Sequence, residues 1–190
     1  MDNLTLFLAV NQRLETERLR LRPVKMEDAE AMYEYASKED NTYFVFPKHA
    51  TVDDTRHSIA NYFMANPLGK FGIELKESNK FIGTIDIRVD MKKFKAEIGY
   101  VLNHNYSKKG YATEAATKLV EFAFETLELE KVVATCDSRN TASESLMKRL
   151  GMKKEGHSRN HEIWKKGEWV DMLYYGLLKE DYRELKKSSI

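Results

Sequence analysis

The 190-residue sequence predicts an α+β fold built around one mixed sheet. Three observations lead to this prediction. Alternating apolar and polar residues over Gly69–Asn103 indicate three consecutive antiparallel strands. A strongly amphipathic helix follows them directly. After that helix, KVVATC (Lys131–Cys136) is an uninterrupted, β-branched run typical of a buried central strand. Strands and helices grouped in this way define the α+β class.

The N-terminal third contributes a strand and two helices. LRLRPV (Leu19–Val24) alternates apolar and polar residues, as a half-buried strand does. Met26–Ser37 has apolar residues at helical spacing. Thr51 with Asp54 three residues later is typical of an N-cap pair, and the helix that it opens extends to about Ala65.

The middle of the chain is a meander followed by a helix. Lys70–Asp90 contains two alternating runs around Glu77-Ser78-Asn79, which predicts a hairpin, and Lys95–Asn103 is the third strand. The helix after it has one apolar stripe. Its members are Ala112, Ala115, Ala116, Leu119, Val120, Ala123 and Leu127.

The sequence of the C-terminal third predicts a helix, then two strands and then a last helix. Asn140–Met152 is helical and stops at Gly151. Strand-like runs cover Lys154–Trp164 and Trp169–Leu177, and Lys179–Lys186 is a short polar helix. Because no repeat, low-complexity tract or Pro/Gly-rich linker interrupts the chain, we expect a single domain over residues 1–190.

Composition limits the function classes. Lys+Arg is 31 and Asp+Glu is 30, and this balance argues against a protein that binds nucleic acid directly. No apolar run is long enough to cross a membrane, and the N-terminus lacks the basic start of a signal peptide. The single cysteine, Cys136, excludes an internal disulfide and favours the cytoplasm. The five histidines show no metal-ligand spacing, so we expect no metal.

The loop SKKGYATEA lies where the amphipathic helix begins. Unpaired N–H groups and the helix dipole make such a helix end attractive to anions. Gly110 allows close approach to the backbone, and Lys108 and Lys109 add positive charge, so the stretch is a candidate phosphate cradle. The alternative is that Gly110 serves a turn and both lysines are merely solvated.

Taken together, EIGYVLN, SKKGYATEA, KVVATCDSRN and ASESLMKRLGM resemble the Gcn5-related N-acetyltransferase (GNAT) superfamily in order and spacing. The beginning TERLRLRPVKMEDAEAMYEYAS and the end EIWKKGEWVDMLYYGLLKEDY resemble its ribosomal-protein alanine/serine N-acetyltransferase branch. The resemblance covers residues 16–182, about the expected core. It implies a mostly antiparallel sheet, splayed between its fourth and fifth strands and flanked by helices.

The resemblance also implies acetyl-CoA as co-substrate. The family's pyrophosphate loop, Q/R-x-x-G-x-G/A, is matched here by Ser107 to Ala112, with Ser107 in place of Gln or Arg. Residues expected at the diphosphate are Lys108, Lys109, Gly110, Tyr111, Ala112 and Thr113. The backbone of Tyr100, Val101 and Leu102 and the side chain of Asn140 are expected at the pantetheine arm. Asn140 could instead, or in addition, cap the following helix.

Acetyl transfer to an amine needs a proton acceptor and stabilisation of the carbonyl oxygen, which a backbone N–H near Val101 or Leu102 would supply. By resemblance, Glu97 is the candidate base, although it could equally be a strand-end charge. Met147 stands where many relatives have a proton-donating Tyr, so Ser143 is the candidate acid. Its alternative is a small residue in the first helical turn. Asp86 and Glu74 are further candidates for holding the amine.

Cys136 is expected to be a core residue, because direct transfer needs no nucleophilic thiol. Tyr43–Phe46 could line the acceptor site or belong to the core. The resemblance implies transfer to a primary amine, preferably a protein N-terminal α-amine of the ribosomal-protein type. Alternatives are a small-molecule amine, such as an amino acid, polyamine or antibiotic, and a non-catalytic acetyl-CoA sensor. Relatives suggest a monomer or homodimer.

Overall fold

The computed structural model describes residues 4–164 and 167–188, and their strands form one sheet. The strands are β1 (Leu14–Glu15), β2 (Leu19–Arg22), β3 (Lys70–Leu75), β4 (Phe81–Asp90), β5 (Lys95–Leu102), β6 (Lys131–Asp137), β7 (Lys153–Ile163) and β8 (Trp169–Leu178). Their order across the sheet is β1-β2-β3-β4-β5-β6-β8-β7. Every neighbouring pair is antiparallel except β5 and β6, which run parallel. The predicted mixed, mostly antiparallel sheet is confirmed.

Seven α-helices accompany the sheet in the described ranges. They are α1 (Leu4–Val10), α2 (Ala29–Ala36), α3 (Glu39–Thr42), α4 (Val52–Ser58), α5 (Tyr111–Glu121), α6 (Thr141–Arg149) and α7 (Lys179–Ser188). Helices α4 and α5 continue as wider π-helical turns at Ile59–Met64 and Phe122–Thr126. None of these helices is long and apolar enough to cross a membrane.

The sheet parts between β5 and β6. Strand β5 pairs with β4 along all of its own length, from Lys95 with Asp90 to Leu102 with Gly83. In contrast, β5 pairs with β6 only over Lys95–Glu97. Beyond that point β6 continues alongside β8, as far as the pair of Asp137 with Met172. The expected splay between these two strands is therefore present, and it leaves backbone of both strands facing a gap.

Two apolar clusters hold the sheet between its helices. The larger lies against α5 and α6, where Ala116, Leu119 and Met147 are fully buried. The smaller contains Tyr35 of α2 and Ile59, which pack with Val101 of β5. Helices α2 and α5 bury the apolar stripes that their sequence periods predict.

The predicted element order is confirmed, with three additions that sequence patterns did not indicate. Helix α1 has seven residues and strand β1 has two, so neither contains enough periods for its pattern to be recognised. Helix α3 is a single turn. The Thr51–Asp54 cap is present in both directions: Thr51 Oγ1 accepts the Asp54 N–H, and Asp54 accepts the Thr51 N–H.

Candidate active site

A cleft of 2140 Å³ occupies the place where β5 and β6 part. Gly99–Leu102 of β5 and Thr135–Asp137 of β6 both line it. The N-terminus of α5 lies at one end of the cleft and side chains from α3, the α4 region and β4 lie at the other. Its volume exceeds the 300–1,000 Å³ or so of a typical small-ligand pocket, so it has room for two reactants.

The loop before α5 turns through the left-handed region twice, at Lys108 (φ 61°) and at Gly110 (φ 84°). Gly110 is the N-cap of α5, and its carbonyl accepts the first helical hydrogen bond, from the Glu114 N–H at 2.9 Å. The N–H groups of residues 111–113 precede that bond and therefore have no acceptor within the helix. Lys108, Gly110 and all three of these residues line the cleft. This end of the cleft has the geometry of an anion cradle.

Arg18 holds this loop in place, although no sequence pattern indicates that role. Its guanidinium donates to the Lys109 carbonyl at 3.1 Å and to Glu114 at 2.7 Å, and it lies 4.6 Å from the Tyr111 ring centroid. Burial opposes ionisation of Glu114, but hydrogen bonds from Thr16 and Arg18 outweigh it and lower the pKa of Glu114. The segment just before β2 thus holds the first turn of α5 in place.

The two lysines of the loop differ in position. Lys108 lines the cleft, whereas the side chain of Lys109 does not; its ammonium lies 5.6 Å from the Tyr106 ring centroid. Arg149, at the end of α6, reaches the cleft instead and donates to Thr113 Oγ1 at 3.2 Å. Part of the positive charge at this end therefore comes from Arg149, a residue 36 positions beyond Thr113 that no local motif indicates.

Asn140 and Ser143 lie together at the start of α6. Asn140 Oδ1 accepts the Ser143 N–H at 3.1 Å, so the capping interpretation of Asn140 is present in the structure. Its amide still lines the cleft. Ser143 Oγ shares a 2.8 Å hydrogen bond with the hydroxyl of Tyr100 on β5. The side chain of Tyr100, expected only as a backbone contact, thus brings a phenol to the candidate acid.

Burial keeps the hydroxyl of Tyr100 and the thiol of Cys136 protonated near pH 7. It raises the pKa of Tyr100 to about 12, although the hydrogen bond from Ser143 lowers it somewhat. Burial likewise raises the pKa of Cys136 to about 11, so the thiol is neutral near pH 7. Cys136 is buried as predicted, and it also lines the cleft. Met147 is completely buried in the larger core, which leaves the phenol of Tyr100 and the hydroxyl of Ser143 beside the gap.

One of the expected backbone groups is already paired. The Leu102 carbonyl accepts the Asn41 amide at 2.7 Å, which ties the end of β5 to α3. Gly99, Tyr100 and Val101 also line the cleft, and they follow the last β5–β6 pair at Glu97. We therefore expect backbone contacts to a pantetheine arm at these three residues.

Charged side chains form a chain across the other end of the cleft. Arg88 of β4 pairs with Asp86 on its own strand and lies 3.4 Å from Glu97 of β5. The hydroxyl of Thr135 on β6 donates to Glu97 at 3.3 Å, and the hydroxyl of Tyr62 donates to Asp86 at 3.4 Å. Burial raises the pKa of Asp86, while Arg88 acts in the opposite direction.

Glu74 does not join this chain. Its carboxylate accepts from Arg20 and, at 2.6 Å, from Arg22 on β2, and it does not line the cleft. Arg22 in turn makes a two-pronged contact with Asp28, at 2.7 and 2.8 Å. Glu74 therefore belongs to a structural ion-pair network at β2 and β3.

Aromatic residues border the same end of the cleft. Of the segment Tyr43–Phe46, the last three residues line it, and the Tyr43 carbonyl accepts the indole N–H of Trp164 at 2.6 Å. Trp164 also lines the cleft, whereas Trp169 is exposed outside it. The sequence between Trp164 and Trp169 predicts a hairpin tip, and its residues Lys165 and Lys166 lie outside the described residues. Over residues 4–164 and 167–188, no three His, Cys, Asp or Glu side chains are grouped to hold a metal ion.

Comparisons with known proteins agree with this architecture. Residues 18–153 match the model of the acetyltransferase (GNAT) domain. The chain is similar to the uncharacterized N-acetyltransferase YnaD of Bacillus subtilis, with 33% identity over 89% of this chain and 98% of that one. It is also similar to the [ribosomal protein uS5]-alanine N-acetyltransferase of Escherichia coli, with 27% identity over 90% and 92%.

A solved structure of a GNAT-family acetyltransferase from Bacillus anthracis superposes with a TM-score of 0.81 and 32% identity. It covers 88% of this chain and 99% of its own. The family match includes β2, most of the residues that line the cleft and the candidate residues on β4, β5 and α6. The resemblance seen in the sequence is therefore confirmed, and the chain belongs to the GNAT family of N-acetyltransferases.

Proposed function

We propose that this enzyme transfers the acetyl group of acetyl-CoA directly to a primary amine, with a protein N-terminal α-amine as the preferred acceptor. The observation that carries the proposal is the parting of β5 from β6 inside a cleft with two unlike ends. One end presents backbone N–H groups and cations, and the other presents carboxylates.

The end at α5 fits the phosphates of a CoA thioester. A cradle of N–H groups at residues 111–113 suits a diphosphate. Lys108 and Arg149 add charge, and Thr113 adds a hydroxyl. Gly110 is exposed and carries no side chain that would hold a phosphate away from the backbone. Asn140 and the exposed backbone of β5 lead from this cradle toward Glu97.

The reaction requires a C–N bond to form while the C–S bond breaks. The amine nitrogen attacks the thioester carbon, and the nitrogen gives up a proton to the Glu97 carboxylate, directly or through water. A backbone N–H near Val101 stabilises the charge that develops on the carbonyl oxygen. The electron pair of the C–S bond leaves on sulfur, and Ser143, backed by the Tyr100 hydroxyl, returns a proton to it.

A protein N-terminus as acceptor is supported by the name of the Escherichia coli relative, at 27% identity. The size of the cleft also supports it, because a CoA arm and an extended peptide can lie in it together. Phe44, Val45 and Phe46 offer apolar surface to the first residues of such a peptide.

The test is CoA release from acetyl-CoA with two sets of acceptors side by side. One set holds peptides that begin with Ala or Ser, such as ribosomal-protein N-termini; the other holds polyamines, amino acids and aminoglycosides. Release with the peptides is the expected result. Release with only the second set would overturn the acceptor assignment and make the enzyme a small-molecule N-acetyltransferase. Binding of acetyl-CoA without release in either set would favour a sensor.

A further inference from the structure

The end of the cleft that contains Tyr62, Asp86, Arg88 and Glu97 is called the acceptor end below, because the amine would bind there. In it, Asp86 and Arg88 place a hydrogen-bond acceptor and a hydrogen-bond donor side by side. They are two residues apart on β4, so their side chains leave the same face of the sheet. They are in direct contact with each other. The Arg88 side chain is 45% exposed and that of Asp86 is 12% exposed, so the guanidinium reaches into the cleft above a mostly buried carboxylate.

The neighbouring strand makes room for this pair. Gly99 lies opposite Asp86 in the β4–β5 register. A Cβ atom at residue 99 would lie 2.7 Å from Asp86 Oδ1 and 2.9 Å from Arg88 Nη1, closer than such atoms approach. A side chain at position 99 would therefore push the ends of the Asp86 and Arg88 side chains out of their present positions. A strand glycine costs stability, which indicates that close approach is needed here.

The charges around the pair balance. Glu97 lies 3.4 Å from Arg88, and Lys70 of β3 packs 3.7 Å from the ring centroid of Tyr62, whose hydroxyl meets Asp86. Two carboxylates thus face two cations. A site with no excess negative charge has little preference for a bare polyamine, whereas it can bind a ligand that offers both a donor and an acceptor.

Arg88 retains capacity for such a ligand. A guanidinium carries five N–H donors in a fixed fork. In this structure Nη1 serves Asp86 and Nη2 faces Glu97, so N–H groups remain to be directed at a further oxygen. An amine nitrogen and a carbonyl oxygen on the adjacent carbon are separated by three covalent bonds. A contacting Asp–Arg pair can therefore bind both groups of one ligand.

We propose that Asp86 and Arg88 recognise an α-aminoacyl group, with Asp86 accepting from the amine and Arg88 donating to the oxygen on the adjacent carbon. This inference rests on the proposed function, and it specifies the acceptor by chemistry. A peptide N-terminus and a free amino acid share this group. Polyamines and alkylamines lack it.

The experiment measures kcat/KM for CoA release with L-alaninamide and with isopropylamine, in which a methyl group replaces the carboxamide. The enzymes are the wild type, Arg88→Gln, Arg88→Lys, and Arg183→Gln as a control that removes an exposed charge on α7, outside the cleft. Each amine has the same pKa in every assay, so changes in the ratio between variants report recognition alone.

We expect the ratio of kcat/KM for alaninamide to that for isopropylamine to be the same in the wild type and Arg183→Gln. Arg88→Gln should lower this ratio about 10- to 100-fold, the range of one hydrogen bond to a charged group, and Arg88→Lys should restore part of it. Loss of both activities in Arg88→Gln with an unchanged ratio would overturn the proposal and indicate a structural role. Retention of both activities in Arg88→Gln with an unchanged ratio would overturn it as well.

Two further acceptors identify the source of the group. A peptide that begins with Ala should outperform free L-alanine if the natural acceptor is a protein N-terminus, and the reverse order would indicate an amino acid. Either order is consistent with α-aminoacyl recognition if Arg88→Gln weakens the better acceptor. An absence of CoA release with every amine, in contrast, would contradict the proposed function itself and is distinguishable from a loss of discrimination.

Discussion

The two ends of the cleft are built in different ways. The end at α5 is formed mainly by one continuous segment, residues 107–113, and the N–H groups of residues 111–113 have no acceptor within the helix. The acceptor end uses single side chains from four elements, among them Tyr62, Asp86 and Glu97. We expect the first end to tolerate Ser107 in the place where the family loop has Gln or Arg, because every residue except proline carries a backbone N–H group. At the second end, each side-chain substitution changes the groups that an acceptor would meet.

This difference suggests that the two ends can be damaged separately. A change at the acceptor end should reduce turnover while acetyl-CoA still binds, and a change at the cradle should weaken acetyl-CoA while the acceptor is still recognised. The following predictions test that separation, in order of decreasing effect.

Gly99→Ala should have the largest effect. Its Cβ would displace Asp86 and Arg88, and misplacement of reacting groups by about 1 Å costs on the order of 10²-fold in rate. Steady-state turnover should fall by that factor, with the acetyl-CoA Kd unchanged by calorimetry. Gly156→Ala is the matched control, because a Cβ at that strand glycine meets Tyr174 only at an ordinary 3.7 Å. Equal losses in both variants would contradict the account.

Gly110→Ala should weaken acetyl-CoA. A left-handed backbone costs a residue with a Cβ atom about 1–2 kcal/mol, or about 5- to 30-fold if the loop shifts to avoid it. Gly110→Asn should bind more tightly than the alanine variant, because Asn tolerates this conformation better. The acceptor KM should stay constant in both. A changed acceptor KM with an unchanged acetyl-CoA Kd would show that the two ends are coupled.

Asp86→Asn should separate activity from stability. Burial raises the folded-state pKa of Asp86, so the native state binds this proton more tightly than the unfolded chain does. This contribution to the free energy of unfolding is fully present when the pH is below 3.8, the ordinary pKa of an Asp carboxyl. It is lost as the pH rises through the higher pKa of Asp86 in the folded state. Asn cannot ionise and does not incur that loss.

The Asn variant should therefore have a Tm at pH 7 equal to or above that of the wild type, measured by calorimetry. Its kcat/KM should be about tenfold lower, because a neutral amide oxygen accepts a weaker hydrogen bond from the amine than a carboxylate does. A clearly lower Tm would mean that the Asp86–Arg88 ion pair is chiefly structural.

Ser143→Ala should have the smallest effect, about 3- to 10-fold on kcat, the range of one neutral hydrogen bond. The Tyr100 hydroxyl, with its pKa of about 12, stays protonated and can still donate through water. The kcat of the wild type should accordingly not decline up to pH 10 from loss of this acid. Tyr100→Phe combined with Ser143→Ala should lower kcat further. If the double variant matched the wild type, neither hydroxyl would serve as the acid.

Local signals made much of the fold and the cradle predictable. The meander, the amphipathic helix and the Gly110 loop each lie within one continuous stretch, and their family order completed the architecture. The contacts of Arg18 with Glu114 and of Arg149 with Thr113 join residues 96 and 36 positions apart. The period of apolar residues in a helix or strand does not indicate contacts between residues so far apart in the chain. Helix α1 is stabilised by burial of Leu8 rather than by its own short pattern.

The acceptor end was predicted least well for the same reason. Glu74 and Asp86 were equivalent in sequence, as acidic residues on neighbouring strands, but only Asp86 lines the cleft. Arg88 could have been found, because the two-residue period of a strand places it on the face of Asp86. The meeting of Tyr100 with Ser143 could not, because it depends on how far β5 and β6 part.

The most direct test of the central claim compares Gly99→Ala and Gly110→Ala in one set of measurements, the acetyl-CoA Kd by calorimetry and CoA release with an Ala-initiated peptide. The account predicts that Gly99→Ala keeps the wild-type Kd and loses turnover. It also predicts that Gly110→Ala raises the Kd and retains the acceptor KM. If both variants changed the Kd and the acceptor KM together, the cleft would not contain two separable binding ends, and the account would be wrong.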